Sequence, residues 1–401
     1  MITILYLVSS VTISIFAHLY FDYTNFKPGI VPYLVFYWAY LAFVYFNRKK
    51  FNSKKNINYY LLILASIPLI GSEPLFENDH LRYQWEGKVV SKGYDPYQYA
   101  PADGKLKHIQ FEKKDQIGFP SISSIYPPVA QVYFSLFGRL IYKTSLIGFQ
   151  LINLFLVLGI IFYLQNKSVP LWKIALFFPY LQKEFINSIH IDLLMAVFIL
   201  IAYELKNRNS FSKLAFSFSF LTKITSLILY PFLFLKKITL KNILLLLPLF
   251  LICIWTMFPH GQVGLIQFSK HWLWAPGMPS LFTELLNLTI NSAKTLSLIF
   301  FLLIFTGIYI KFWLEKLNQE MAITYVLINL FFFVPVLNTW YTVLILPFAL
   351  LTGNIPAMLY VLFSTNSYLQ WNMPNQLFVT GMVHIPYVYF LYVIWQKRKV
   401  K

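Results

Sequence analysis

The chain has 401 residues, 58% of them hydrophobic and only 12% charged, which excludes an ordinary water-soluble domain, where about a quarter of residues carry charge. Its 33 Lys and Arg against 15 Asp and Glu give a net charge of +18, but the cations sit in short clusters between apolar runs, the pattern of cytoplasmic membrane loops and not of a nucleic-acid-binding surface. The single cysteine, Cys253, excludes an intrachain disulfide and a thiolate metal cluster.

Residues 3–20 follow neither a basic leader region nor a small-residue cleavage site and read as a retained first helix. Further apolar segments fall at 30–46, 57–72, 147–165, 170–183, 190–205, 212–235, 241–258, 295–312, 320–337, 341–352, 355–370 and 378–395. Several are shorter than the about 20 residues a spanning helix needs. Segment 212–235 has Lys223 at its centre and reads as two half-helices that meet at a buried polar site. The expected fold is an all-α polytopic bundle of about twelve to fourteen transmembrane helices, a single membrane domain over residues 1–401. Basic clusters at 47–55, 206–213, 236–241 and 397–401 then share the cytoplasmic side, with both termini. Segment 126–143 ends in Arg139 and Lys143 and reads as a helix lying on the outer surface.

The acids mark the opposite face. Eight of the 15, from Glu73 to Asp115, lie in one stretch of the outer loop 73–125, which is rich in Tyr, Pro, Asp and Gly and reads as ordered. A second outer loop covers 259–280, and the polar residues at 184–192 and 338–341 converge on the same side. Asn78 to Ser91 has a helical pattern, with Asn78 as N-cap and Gly93 as stop. Spacings of three, four and seven put Asp79, Arg82, Tyr83 and Glu86 on one face. A carboxylate beside a guanidinium stays ionised and oriented, as a general base must. On spacing alone, an exposed ion pair of small energetic weight is the commoner outcome.

The run Glu77-Asn-Asp79-His-Leu-Arg82-Tyr83-Gln-Trp85-Glu86-Gly87, then Lys92-Gly93-Tyr-Asp95-Pro96-Tyr97 and Ser124-Ile-Tyr126-Pro127-Pro128, resembles the first outer loop of GT-C superfamily glycosyltransferases that use polyprenyl-phosphate sugars. It is most similar to that of bacterial polyprenol-phosphate-mannose-type mannosyltransferases, with Glu86 and Asp95 in place of the usual Asp and Asn. The likeness continues through Pro179, Lys183-Glu184, Ser188-Ile-His190-Ile-Asp192, Lys223, Pro231, His271-Trp272, Pro335, Trp340-Tyr341 and Pro347, about residues 57–350. Where the family often has His-Pro before Trp-Tyr, this chain has Asn338-Thr339, so a role for that His is not carried over.

The resemblance implies a hexosyl transfer, with mannose favoured, from a polyprenyl-phosphate sugar to a lipid or glycan acceptor. The site would face outward from a bacterial cytoplasmic membrane. Asp79 would be the base, oriented by Arg82. Lys223, Arg82 and His271 would hold the departing phosphate, Glu86, His190 and Asp192 the sugar hydroxyls, and Tyr83, Tyr126, Asn338, Trp340 and Tyr341 would complete the substrate site. Each has a plainer reading. Asp192 suits a helix N-terminus, Lys223 can snorkel, and His271 suits an interfacial belt. Trp85, Trp272 and Trp340 can stack on sugar or on lipid. His190, Asp192 and Glu184 offer metal ligands without defined geometry, so no metal or other cofactor is assigned. No Gly-rich phosphate loop or dinucleotide fingerprint is apparent, which favours a donor arriving in the bilayer. The rivals are transfer of another lipid-linked sugar, a transporter or flippase of such lipids, and a non-catalytic scaffold.

Overall fold

The computed structural model describes residues 1–21, 26–51, 57–206, 209–234, 264, 266–267, 273–373 and 376–399. Cys253, the apolar segment 241–258, His271, Trp272 and most of the second outer loop lie outside them. Among the described residues the chain is helical, with no β-strand and one isolated bridge between Trp274 and Val336.

Among the described residues, five helices are long and apolar enough to cross a bilayer: α1 (Ile2–Leu19), α2 (Lys27–Phe46), α6 (Tyr142–Asn166), Ile290–Trp313 and the stretch Leu377–Gln396 of the last helix. Their exposed apolar side chains, such as Ile4, Val35, Phe155 and Leu303, suit contact with lipid tails. A sixth span arises if Phe178–Asn187 and α9 (Asp192–Glu204), bent by 114°, count together. The protein is thus an all-α polytopic membrane protein.

The remaining apolar segments are broken, each for a local reason. Asn58 caps α3 (Tyr59–Ala65) by accepting from the Leu61 amide, and a 3-10 turn, Ile67–Leu69, follows at once. α10 (Asn209–Thr222) stops where Lys223 takes an extended backbone. The chain resumes as a 3-10 turn, Ile224–Leu229, and α11 (Tyr230–Phe234), so the break falls on the charged residue. The expected segments 341–352 and 355–370 each divide into a helix and a 3-10 turn, Thr339–Leu344 before Leu346–Thr352, and Ile355–Ser364 before Thr365–Trp371. Gly353, at φ 61°, ends the first helix in the left-handed region that glycine adopts without steric cost. Irregular backbone at such depth is tolerated because protein surrounds it.

Polar contacts sort the two ends of the bundle. Glu204 accepts from Tyr163 at 2.7 Å and from Lys167 at 2.9 Å, and Lys206 reaches Gln319 at 3.2 Å, so these helix termini share one face. The loop 73–125 covers the other. Its entrance is pinned by Asn187, whose side chain accepts from the Leu75 amide and donates to the Glu73 carbonyl, both at 2.9 Å.

Within the loop, α4 (Asp79–Ser91) packs on α5 (Pro128–Ser135). Eight residues of α5 rise about 12 Å, too little to cross, so segment 126–143 does not span. Gly87 makes the α4–α5 contact possible, because a Cβ there would lie 2.0 Å from the Phe134 carbonyl oxygen. Gly87→Ala is expected to destabilise the protein by about 1–3 kcal/mol, read as a lower melting temperature in detergent. An unchanged melting temperature would show that α5 moves aside freely.

Candidate functional site

Three segments bring the polar groups together. The first is α4 and the residues before it. The second is the turn between a π-helical stretch, Gln182–Asn187, and α9. There the β-branched Ile189 is held at φ 54°, a strained conformation of the kind that collects at functional sites. The third is the pair of 3-10 turns carrying Trp340 and Tyr368.

At the centre, Glu77 accepts from Lys183 Nζ at 2.6 Å and from the Tyr368 hydroxyl at 2.9 Å, and His190 Nε2 lies 2.8 Å from the same oxygen. Lys183 also lies 3.2 Å from Glu184 and bonds Tyr368. The His190 ring stacks on Trp340 at 3.8 Å and 8°. Beside this cluster, Lys223 donates to Asp192 at 2.7 Å and sits 3.7 Å over the Tyr341 ring. Burial would raise Glu77, but His190 and Lys183 overcome it and hold the carboxylate down at about 2.

Asp79 differs from every other acid here. Among the described residues its carboxylate makes no hydrogen bond or ion pair, and it faces two adjoining cavities. Burial, aided by the Glu77 and Asp192 charges, pushes it up to about 6 against the pull of His190 and Lys223. An unpartnered carboxyl titrating near neutrality and open to a cavity is what proton abstraction from a hydroxyl requires.

Several expected roles move. Arg82 does not orient Asp79. Its Nε donates to Glu86 at 2.5 Å, and the rest of its guanidinium donates to the carbonyls of Phe119, at 3.1 Å, and Ile122. It therefore moulds the loop wall while still lining the narrower cavity. Glu86 does not reach either cavity, because it is buried and also accepts from Ser124 and Gln131, each at 2.6 Å. His190 and Asp192 are buried, the one stacked on Trp340 and the other paired with Lys223, and neither lines either of the two cavities. Asn78 occupies the N-cap position of α4, but its side chain donates to the Gln116 carbonyl at 2.6 Å. Trp85 is buried in the loop under the Lys114 ammonium. Tyr83, Tyr126, Lys223, Asn338, Trp340 and Tyr341 do line the narrower cavity, and His271 lies outside the described residues.

For a metal, one ligand atom each from Glu77, Asp79 and His190 lies within 4.8 Å of the others, a different set from the expected His190, Asp192 and Glu184. Lys183 already supplies positive charge to this set. Tyr368, Trp274 and Trp371 also belong to the site and gave no local signal in the sequence, whereas Lys183-Glu184, two charges inside an apolar run, did.

The fold and the site together define an integral membrane protein with a carboxylate-centred cavity on its loop-bearing face. The family model for alpha-(1->6)-mannopyranosyltransferase, N-terminal domain, matches residues 26–238, more than half of the chain, and the chain belongs to that family of mannosyltransferases. No curated protein and no solved structure matches it.

Proposed function

We propose that the protein transfers mannose from a polyprenyl-phosphate carrier to a sugar hydroxyl on the outer face of a bacterial cytoplasmic membrane, forming the α-(1→6) linkage for which its family is named, by the GT-C type of reaction. The observation that carries this reading is Asp79, without a partner among the described residues, poised near neutrality, and facing both cavities.

The Asp79 carboxylate takes the proton of the acceptor hydroxyl as that oxygen bonds to the anomeric carbon. The bond from that carbon to the phosphate oxygen breaks, and its electron pair leaves with polyprenyl phosphate. A single displacement inverts the centre, so an α product requires a β-linked donor. Lys223, with its ammonium on Tyr341 and Asp192, stabilises negative charge as it grows on the departing phosphate. Glu77, Lys183, Tyr368 and His190 fix the wall beside Asp79.

The test is release of polyprenyl phosphate from β-mannosyl-phosphoryl-polyprenol by protein in lipid vesicles, with a manno-oligosaccharide acceptor. Release coupled to a new mannosyl bond supports the reading. Movement of intact lipid-linked sugar across the vesicle membrane without cleavage would replace it with transport. Because Lys183 occupies the charge-balancing position at Glu77, transfer in excess EDTA is expected to stay within about twofold of the untreated rate. A loss restored by a divalent cation would overturn that expectation.

A further inference from the structure

Two cavities adjoin at Asp79 and share Asn78, Phe119, Ile122, Asn338 and Trp340 as a common wall. They differ in size and charge. The narrower, of about 70 Å³, is the one that Lys223 and Arg82 line, with the hydroxyl-bearing rings of Tyr83, Tyr126 and Tyr341. The wider, of about 610 Å³, has no cationic side chain among its described lining residues. Its lining includes Asp79, Gln267 and three indoles, Trp274, Trp340 and Trp371, together with Glu77, whose carboxylate is buried against Lys183.

A phosphate seated in the wider cavity would lie beside the Asp79 carboxyl with no cation among the described lining residues to offset it, and would meet both desolvation and repulsion. A neutral sugar meets neither penalty. Its hydroxyls can donate to carboxylates and bond amides, and its C–H faces can lie on indole rings. The volume falls in the range of sites for ligands larger than one hexose. The indole wall is also built in advance. The Trp274 amide donates to the Pro335 carbonyl at 3.2 Å and its carbonyl accepts from Leu337 at 2.8 Å, while Gln370 accepts from the Ala275 amide at 2.6 Å. Trp274 meets Trp371 at 4.9 Å between ring centres, and Trp371 meets Phe26 edge-on at 5.3 Å.

Building on the mannosyltransferase reading above, we infer that the wide cavity is the acceptor site and takes a neutral oligosaccharide. Trp274 and Trp371 select it, and the donor phosphate stays on the Lys223 side of Asp79. All three indoles lie beyond residues 26–238, so the aromatic wall of this site comes from the C-terminal part of the chain, outside the region the family model matches.

The experiment uses the full chain in phosphatidylglycerol–phosphatidylethanolamine vesicles, with α-(1→6)-mannotriose as probe. Trp371 is 41% exposed, so Trp371→Ala removes ring area without opening the core. The variant is expected to raise the KM for mannotriose about 5- to 10-fold, with the KM for mannosyl-phosphoryl-polyprenol unchanged and Trp371→Phe restoring most of the loss. Saturation-transfer NMR on Asp79→Asn should still detect bound mannotriose, and Trp371→Ala should weaken that signal. This binding arm needs no turnover, so it separates failure of the catalytic reading from failure of the cavity assignment. A donor KM that rises while mannotriose is unaffected would give the cavity to the lipid carrier, and equal binding by wild type and Trp371→Ala would also overturn the assignment.

Discussion

Replacing Asp79 with Asn is expected to slow mannosyl transfer by about 10²–10⁴-fold, the range over which a positioned general base contributes, while the protein folds and inserts normally. The amide keeps the size and polarity of the carboxyl but cannot accept the proton. Because Asp79 sits at about 6, kcat/KM of the wild type should rise about tenfold per pH unit below that value and level off above it. The residual rate of Asp79→Asn should be flat over the same range. The same shift has a consequence for stability. A folded-state pKa raised from 3.8 to about 6 means that the folded protein holds this proton more tightly than the unfolded chain. The stability it contributes is complete below about pH 4 and is lost as pH rises through 6. At pH 7.5 the ionised carboxylate is therefore a burden, and Asp79→Asn is expected to be more stable by about 1–3 kcal/mol, an advantage that shrinks toward pH 5. A less stable variant at pH 7.5, or transfer within tenfold of wild type, would exclude Asp79 as an ionised base. The pairing of lost activity with gained stability distinguishes a base held against its own electrostatic preference from a structural carboxylate such as Glu86, whose removal should lose stability.

The sequence shows the loop helix well, because α4 is specified locally. Its stop near Gly93, at φ 82°, follows from residues within one turn, and its start falls just after Asn78 as expected, although the Asn78 side chain bonds the Gln116 carbonyl and does not cap the helix. It also shows the break at Lys223, because a charge in the middle of an apolar run has few other places to go. What it does not show is which charge pairs with which. Arg82 lies three residues from Asp79 and four from Glu86, and both spacings share a helix face, yet Phe119 and Ile122 in the following loop decide the outcome by offering carbonyls that turn the guanidinium away from Asp79. Likewise His190 and Asp192 are two residues apart, but a strained turn at Ile189 sends one toward Glu77 and the other toward Lys223. Tyr368 and Trp371 enter the site from almost 300 residues downstream of Asp79, on a 3-10 turn whose aromatic and polar composition is ordinary for a membrane protein. Long-range partners of this kind leave no mark on local spacing.

Lys183→Met should be the most damaging single change outside the reacting groups. The ammonium has 0% exposure and is the shared partner of Glu77, Glu184 and Tyr368. Removing one partner from a buried ionic cluster leaves uncompensated charge, which costs about 3–5 kcal/mol, whereas replacing a complete pair with apolar groups is often nearly neutral. The single variant should therefore accumulate poorly and melt at lower temperature. The double variant Lys183→Met with Glu77→Gln should recover part of the loss, with a coupling of about 1–3 kcal/mol. The pH dependence carries the sign. In the wild type Glu77 is held at about 2, so its stabilising contribution is present above its ordinary range and is lost only as pH falls through that value. Without Lys183 that depression relaxes, Glu77 takes up a proton at higher pH, and the deficit of the variant should be greatest at pH 7 and shrink on acidification. A deficit independent of pH, with no recovery in the double variant, would mean that Lys183 acts through packing of its alkyl stem on Tyr368 and not through its charge. The two cases differ in what they say of the site: a charge-coupled Lys183 helps His190 keep Glu77 ionised, and that charge adds to burial in raising Asp79.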